Sequence, residues 1–261
     1  MPRGRGAASG VTVSALTVLY QHDALVVVDK PAGLMVHDSA LARGESEFAI
    51  DRLRRQFGGP VFLVHRLDRA TSGCLMLALD RDTATAMGRR LMAREVDKDY
   101  LAVCRGWPED TGLIDHPLDG GPGKPTRKPA RTAFEVLARG ELPEAAAGFP
   151  TARFALLRCR PLSGRFRQIR RHLKHIRHPL VGDTSHGDGQ RNRMFRARGV
   201  HRMLLHAWRL GWTDGQGRRV EVEAPLDAGF QRALDLFGWR LETASPALPE
   251  RDAGTAAGQR S

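Results

Sequence analysis

Short runs of apolar residues recur along the chain, most of them with polar residues at alternate positions. Their length and alternation are typical of half-buried antiparallel strands. Eight such runs predict strands: LTVLY at 16–20, ALVVVDK at 24–30, VFLV at 61–64, CLMLAL at 74–79, YLAVC at 100–104, TAFEVLA at 132–138, ARFALLRC at 152–159 and RVEVEA at 219–224.

Helical spacing of apolar residues is confined to a few segments. The spacing predicts one helix from Thr83 to about Arg94 and another from Ala228 to Phe237, which ends before Gly238. Helices scattered among successive strands favour an α+β protein with a mixed, largely antiparallel sheet.

A third predicted helix follows Ser163 and Gly164, which can cap its N-terminus, and ends before Pro179. Its apolar residues form one narrow stripe, at Ile169, Leu173 and Ile176. One residue further along, basic side chains follow the same spacing: Arg170, Lys174 and Arg177. This helix is expected to pack with one side and to present positive charge on the other.

The middle of the chain predicts one compact domain. Residues 15–242 contain no repeat and no long linker, and the loop at 120–131 (GGPGKPTRKPAR) looks like an excursion because strand patterning resumes after it. Residues 1–14 are expected to form a flexible arm, and residues 243–261, rich in Ala, Gly, Pro and Ser, a disordered tail.

Positive charge is concentrated in one segment. The chain carries a net charge of +12, and residues 161–210 hold twelve Arg and Lys against two Asp. Arg dominates there, and its planar guanidinium holds phosphate in a bidentate manner. A nucleic-acid footprint is the functional interpretation, and a solvated basic surface is the alternative.

Several function classes are disfavoured by composition. No stretch approaches the roughly 20 apolar residues of a membrane span, and no signal peptide begins the chain, so a cytoplasmic location is expected. Cys74, Cys104 and Cys159 are widely spaced and are expected to be small buried strand residues in a reducing compartment. No metal site is expected, because the His residues near 172–178 lack Cys or Glu partners and have Arg neighbours.

One turn is the candidate for chemistry. Asp68 lies in HRLDRATSG, between the runs VFLV and CLMLAL, and is flanked by Arg66 and Arg69. Neighbouring cations favour the ionised carboxylate. From composition alone, a surface salt bridge in a Thr-Ser turn remains the competing interpretation.

The segment His65–Gly73 resembles the H-R-L-D-x-x-T-S-G signature of the RluA family of pseudouridine synthases, enzymes that isomerise uridine to pseudouridine in RNA. Further blocks follow in the family's order over roughly residues 16–225, with Asp29 in place of the usual Asn and Arg167 in place of the usual His. They are DKPAGLMVH at 29–37, KDYLAV at 98–103, SGRFRQIR at 163–170, HPLVGD at 178–183 and LLHA at 204–207.

The resemblance implies the pseudouridine synthase fold, with a cleft across the middle of the sheet, and roles for individual residues. Asp68 would be the nucleophilic carboxylate, acting on C1′ or C6, and Arg170 would be its basic partner. Ile169 would line the base pocket, Tyr100 would lie against the flipped base as a candidate to take the C5 proton, and Arg66 would fill the space of the extruded nucleotide. No cofactor is expected, because the chemistry needs one ionised carboxylate and no redox step or group donor.

The substrate is implied by a finer resemblance. Residues 170–193, with RRHLKHIRHP and the later HGD and NR, are similar to a subgroup that modifies tRNA, at uridine 65 of the T-stem. The expected partner is therefore tRNA, bound by a monomer, with no protein partner implied. Ribosomal RNA as substrate, a non-catalytic RNA-binding or chaperone protein and a metal-dependent nuclease remain as alternatives. Phosphate contacts are assigned to Arg165, Arg167, Arg171, Lys174, Arg177, Arg191 and Arg193.

Overall fold

The computed structural model describes residues 15–38, 47–146 and 148–241. The strands are β1 (Val18–His22), β2 (Leu25–Lys30), β3 (Phe62–Leu63), β4 (Ser72–Ala78), β5 (Asp97–Arg105), β6 (Thr111–Asp115), β7 (Leu118–Asp119), β8 (Arg127–Lys128), β9 (Arg131–Leu142), β10 (Ala152–Pro161), β11 (Leu205–Thr213) and β12 (Arg219–Glu223). The helices are α1 (Ala49–Phe57), α2 (Arg81–Met92), α3 (Gln168–His175), α4 (Gly189–Ala197) and α5 (Ala228–Asp235).

Ten of these strands form one sheet. Its main path runs β1-β2-β4-β11-β5-β10-β9-β6, while β3 pairs with β4 and β12 pairs with β11. Every pairing in it is antiparallel except the one between β4 and β11. The predicted α+β class, with its mixed and largely antiparallel sheet, is confirmed.

Helices cover both faces of the sheet. Alternate residues of β4 separate the two faces: Leu75 packs with Leu53 of α1, while Met76 packs with Met87 of α2. Further along the sheet, α3 packs on the same face as α1, whereas α4 and α5 pack on the face of α2. The central strands are therefore buried on both sides.

Two glycines allow the close approaches on which this topology depends. Gly73 has φ +103, and a Cβ there would lie 2.2 Å from the carbonyl oxygen of Ala207 on β11. Gly182 has φ +78, and a Cβ would lie 2.0 Å from the carbonyl oxygen of Arg202. Only glycine fits at either position without moving backbone.

The structure corrects parts of the predicted element list. Six elements were not predicted, namely the helices α1 and α4, the short strands β6, β7 and β8, and the central strand β11. The third predicted helix begins at Gln168, and Ser163 and Gly164 do not cap it; Arg167, in the left-handed region with φ 51, is its N-cap. The Ser163 hydroxyl instead donates to Gln168 Oε1.

The segment predicted as a loop at 120–131 follows β7 and contains β8, and these two strands pair in a small hairpin. The predicted arm at 1–14 and tail at 243–261 lie outside the described residues. Within the described part of the chain, no helix is long and apolar enough to cross a membrane. The three cysteines are free and buried, as predicted.

Candidate active site

The turn that carries Asp68 is fixed at both ends by backbone hydrogen bonds. The Thr71 amide donates to the Asp68 carbonyl at 3.0 Å, and the Gly33 amide donates to the Arg69 carbonyl at 2.8 Å. Arg69 Nε returns a hydrogen bond to the Gly33 carbonyl at 3.0 Å. Two hydrogen bonds between Arg69 and Gly33 therefore fix the turn to the loop after β2.

A buried lysine lies beneath the same turn. Lys30 is fully buried, and its ammonium donates to the carbonyls of Pro31, Leu34 and Arg69 at 2.7, 2.8 and 3.2 Å. Three carbonyl acceptors match the three protons of an ammonium group. Burial, together with the charge of Arg202, lowers the pKa of Lys30 to about 7. The three carbonyl contacts therefore hold an ammonium group whose charged form is disfavoured by its removal from water.

Arg170 joins Asp68 to a second carboxylate. Its Nη1 lies 2.9 Å from Asp68 Oδ2, while Nε and Nη2 hold Asp183 in a bidentate pair at 2.7 and 2.8 Å. Asp183 is buried, and its Oδ1 also accepts the amides of Ser185 and His186. Burial acts to raise the pKa of Asp183, but the hydrogen bonds and charge of Arg170 outweigh it and lower that pKa.

Asp68 keeps one oxygen open. Its side chain is 27% exposed, and Oδ1 has no hydrogen-bond partner among the described residues. Arg170, in contrast, is only 7% exposed, and although burial acts to lower its pKa, the two carboxylates raise it. The arrangement is a carboxylate held on one side by a permanent cation and accessible on the other.

A cleft of about 580 Å³ surrounds Asp68 and is lined by the residues that the sequence singled out, although they lie up to 104 positions apart. Seven predicted residues line it: Arg66, Asp68, Tyr100, Arg165, Arg167, Ile169 and Arg170. The structure thus brings the predicted chemistry of the turn, of β5 and of α3 into one place.

Tyr100 and Ile169 form apolar walls of this cleft. Ile169 is 5% exposed and packs with Leu173 and the sheet residues of its cluster. Burial and the negative charge of Asp68 raise the pKa of Tyr100. The phenol is therefore protonated at neutral pH in the free protein.

His65, the first residue of the signature, has a structural contact. Its Nε2 accepts the Met76 amide at 3.1 Å, and burial, with the charge of Lys98, lowers its pKa to about 4. A neutral imidazole therefore joins the turn to β4.

The predicted phosphate-binding residues divide into several groups. Lys174, Arg177 and Arg193 are exposed, and Arg165 and Arg167 line the cleft. Arg171 holds Asp119 at 2.7 Å and so fastens α3 to the start of the β7–β8 hairpin.

The structure places Arg191, another predicted phosphate-binding residue, inside the fold rather than on the exposed surface. Arg191 is only 7% exposed, and its guanidinium pairs with Asp188 of its own helix start. A side chain that is buried and paired in this way contributes to the packing of α4, on the face of the sheet opposite the cleft.

The histidines on α3 do not form a metal site. Both ring nitrogens of His172 are engaged, Nδ1 with Thr132 Oγ1 and Nε2 with the His116 carbonyl. In the residues that the structure describes, no group of three or more His, Cys, Asp or Glu side chains is placed to hold a metal ion.

Sequence reasoning left Lys30 and Asp183 without a role, although each lies in a matched block. The signal was available in the block resemblance, since Lys30 belongs to DKPAGLMVH and Asp183 ends HPLVGD. What the sequence could not reveal is that both side chains converge on the Asp68 turn.

Comparisons with known proteins point to one enzyme family. A family model described as RNA pseudouridylate synthase matches residues 24–175, which contain Asp68, Tyr100 and Arg170. Among curated relatives, tRNA pseudouridine synthase C of Vibrio cholerae serotype O1 is 41% identical over 236 residues, covering 86% of this chain and 97% of that protein. The protein of the same name from Haemophilus ducreyi is 38% identical, covering 87% of this chain and 97% of the relative.

Solved structures support the same fold. Human RNA pseudouridylate synthase domain containing 1 is similar with a TM-score of 0.60 and 29% identity, covering 80% of this chain and 83% of that one. Human RNA pseudouridylate synthase domain containing 4 shares the fold with a TM-score of 0.64 at 23% identity, covering 84% and 92%. By its motifs, its fold and these relatives, this chain belongs to the RNA pseudouridylate synthase family, in its RluA-type branch, whose enzymes are isomerases.

Proposed function

We propose that the protein isomerises uridine to pseudouridine in tRNA, at a T-stem uridine, position 65. The observation that carries the chemistry is the accessible Asp68 carboxylate paired with buried Arg170 inside a cleft large enough for a nucleotide. The tRNA substrate is supported by relatives named tRNA pseudouridine synthase C that match nearly their whole length.

In this proposal Asp68 is the nucleophile, and its open Oδ1 faces the substrate. Attack at C1′ of the ribose or at C6 of the base needs the ionised carboxylate in either case. Once a base covers the turn, water is excluded and the carboxylate would tend to take up a proton. Arg170, fixed by Asp183, opposes this because it remains charged at 2.9 Å.

The flipped uracil is proposed to lie between Tyr100 and Ile169. Because burial keeps the Tyr100 phenol protonated in the free protein, packing against the base is the role that its environment supports best. Accepting the C5 proton would first require loss of its own. Arg66, exposed at the rim beside Asp68, is proposed to fill the space that the extruded nucleotide leaves, which offsets part of the few kcal/mol of unstacking.

The phosphate footprint begins in the cleft and continues along α3. Arg165 and Arg167 contact the target strand in the cleft, and Arg171, Lys174 and Arg177 follow on the adjoining helix. Lys174 lies about 6 Å beyond Arg170 along the helix axis, at ~1.5 Å per residue. Arg193, exposed on α4, extends this footprint where the RNA reaches past the sheet. A helical stem is read by its shape and phosphates, which suits such a surface.

The proposed enzyme works as a cytoplasmic monomer and needs no cofactor, because the isomerisation involves no redox step, hydrolysis or group donor. Release of tritium from C5-labelled uridine tests the function directly. Unmodified tRNA transcript and 23S ribosomal RNA are supplied separately, with a chelator present. We expect release from tRNA alone, and sequence mapping should place pseudouridine at position 65.

The alternatives give different results in this assay. Release from ribosomal RNA alone would reject the tRNA substrate while leaving the chemistry in place. Release from tRNA with mapping to a different uridine would reject only the T-stem assignment. Strong RNA binding without release from either RNA would indicate a non-catalytic RNA-binding protein.

A further inference from the structure

Lys98 lies on β5 two residues before Tyr100. Successive side chains of a strand point to opposite faces, so these two residues share the face that carries the cleft, about 7 Å apart along the strand. Both line the cleft. Lys98 therefore lies next to the proposed base pocket, two residues from Tyr100 along β5, in the part of the cleft that His65 and β3 also line.

The ammonium of Lys98 has no hydrogen bond or ion pair with any residue that the structure describes. The two carboxylates next to it in sequence are used elsewhere: Asp99 holds Arg160 through two hydrogen bonds of 2.7 Å, and Asp97 holds Arg219 at 2.7 Å. This contrasts with Lys30, whose ammonium is surrounded by carbonyls.

Such a cation carries a cost that the free protein does not compensate. Lys98 is partly buried, and desolvation lowers its pKa. Removing a charge from water without supplying a counter-charge is unfavourable. A lysine in this position is explained when the ligand brings the missing negative charge.

We propose that Lys98 binds a backbone phosphate of the RNA next to the target nucleotide. The proposal rests on the proposed function, in that the cleft must hold RNA, and it adds a phosphate subsite at the β5 end of the cleft. A phosphate is favoured over a base carbonyl because only the anion neutralises the ammonium. Arg66, on the Asp68 turn, lines the same cleft, and with Lys98 the cationic side chains around the target nucleotide would number five: Arg66, Lys98, Arg165, Arg167 and Arg170.

The test uses Lys98→Met, which keeps the length of the side chain and removes its charge, and Lys98→Arg, which keeps the charge. Arg89→Met is the charge-matched control, since Arg89 is exposed on α2, on the opposite face of the sheet. For each variant the measurements are the Kd for unmodified tRNA transcript over a range of KCl, the KM and kcat for pseudouridine formation, and the Tm.

We expect Lys98→Met to raise Kd and KM by about tenfold, as for loss of a charge-assisted contact. Its plot of log Kd against log salt concentration should flatten by about 0.7 to 0.9, the contribution of one phosphate. The kcat should stay within about twofold of wild type, and the Tm should be unchanged or higher because a desolvated charge is gone. Lys98→Arg should keep the wild-type slope, and Arg89→Met should match wild type in every measurement.

Two outcomes would overturn the phosphate subsite. An unchanged salt slope in Lys98→Met rejects it, even with a raised KM, because that pattern indicates contact with a neutral base. A lowered Tm in both Lys98 variants with a parallel loss of activity indicates a structural lysine. These failures are distinct from failure of the proposed function, in which wild type itself forms no pseudouridine in tRNA.

Discussion

At the scale of single residues, the site is a row of three charged side chains, Asp68, Arg170 and Asp183, joined by hydrogen bonds. Arg170 uses three nitrogens on two carboxylates, and buried Asp183 has both oxygens occupied. Among the oxygens of these two carboxylates, Asp68 Oδ1 alone has no hydrogen-bond partner in the described part of the chain. Fixed geometry of this kind is what a nucleophile needs, since a misplacement of about 1 Å can cost on the order of 10²-fold in rate.

Replacement of Asp68 by Asn should abolish turnover, by on the order of 10⁴-fold or more, and leave tRNA affinity within a few fold. The amide keeps the shape and loses the nucleophile. Single-turnover tritium release and a filter-binding Kd check the two halves of the prediction, with mass measurement to exclude deamidation back to Asp. Substantial turnover by the intact variant would remove Asp68 from the proposed role.

Asp183→Asn should lower kcat by about tenfold or more, because the bidentate hold on Arg170 is lost and Nη1 is no longer aimed at Asp68. A cost of roughly 3 kcal/mol in unfolding free energy accompanies it, since a buried ion pair is broken. Arg170→Lys should lose kcat as well, because one nitrogen cannot serve both carboxylates. Wild-type kcat in Asp183→Asn, measured below its Tm, would make Asp183 dispensable for positioning.

At the scale of elements, the parallel junction of β4 and β11 carries the active-site turn. Only two register pairs join the strands, His206 with Ser72 and Ala207 with Gly73. The junction is reinforced by side chains. Because a carbonyl only accepts, His206 Nε2 donates to the Ala224 carbonyl, and Nδ1 therefore accepts from the Ser72 hydroxyl at 2.7 Å.

Gly73→Ala should destabilise the protein by about 3 kcal/mol or more, since φ is +103 and the new methyl meets the Ala207 carbonyl. The matched control is Gly88→Ala within α2, where a Cβ meets nothing within 4 Å. That change should stabilise by about 0.5 to 1 kcal/mol through helix propensity. Urea unfolding of both variants measures the difference, and equal stability of the two would contradict the close approach.

Acidification should weaken the same junction. Burial lowers the pKa of His206 to about 4, whereas an unfolded histidine takes up its proton near 6.5. Between these values the unfolded chain binds more protons, so the free energy of unfolding falls as the pH drops from about 6.5 to about 4, by on the order of 3 kcal/mol. Urea unfolding of His206→Gln should show less loss over that range, and exposed His201→Gln should keep the wild-type dependence. Equal acid sensitivity of all three proteins would contradict a neutral buried His206.

Sequence patterns predicted most strands and the site blocks but missed particular elements for physical reasons. Strand β11 lies mid-sheet and is covered on both faces, so LHAWRLGWT lacks the alternation of a half-buried strand. Helix α4 is polar, with Phe195 as its one fully buried apolar side chain. The bidentate hold of Asp183 on Arg170 depends on how the segment after α3 folds back against that helix, which no local pattern encodes.

At the scale of the whole molecule, not every basic residue of the Arg-rich segment 161–210 is exposed and available to bind phosphate. Within the segment 161–210, Arg170 and Arg191 are buried and paired with the segment's own two aspartates. Lys174 and Arg177 are exposed at the end of α3, beside the cleft, and Arg193 is exposed on α4. The proposed electrostatic footprint for RNA therefore uses fewer cations than the sequence suggests, most of them on the face of the sheet that holds Asp68 and Arg193 on the opposite face.

Lys174→Met and Arg191→Met remove one charge each and separate these two kinds of cation. Lys174 is exposed, so its loss should flatten the salt dependence of tRNA binding by up to about 0.9 in log units and leave the Tm unchanged. Arg191 pairs with Asp188 in a buried position, so its loss should lower the Tm and leave the salt slope as in wild type. Filter binding across KCl concentrations and thermal unfolding give both quantities for each protein. If Arg191→Met instead flattens the slope at an unchanged Tm, the guanidinium leaves Asp188 when RNA binds, and Arg191 belongs to the footprint.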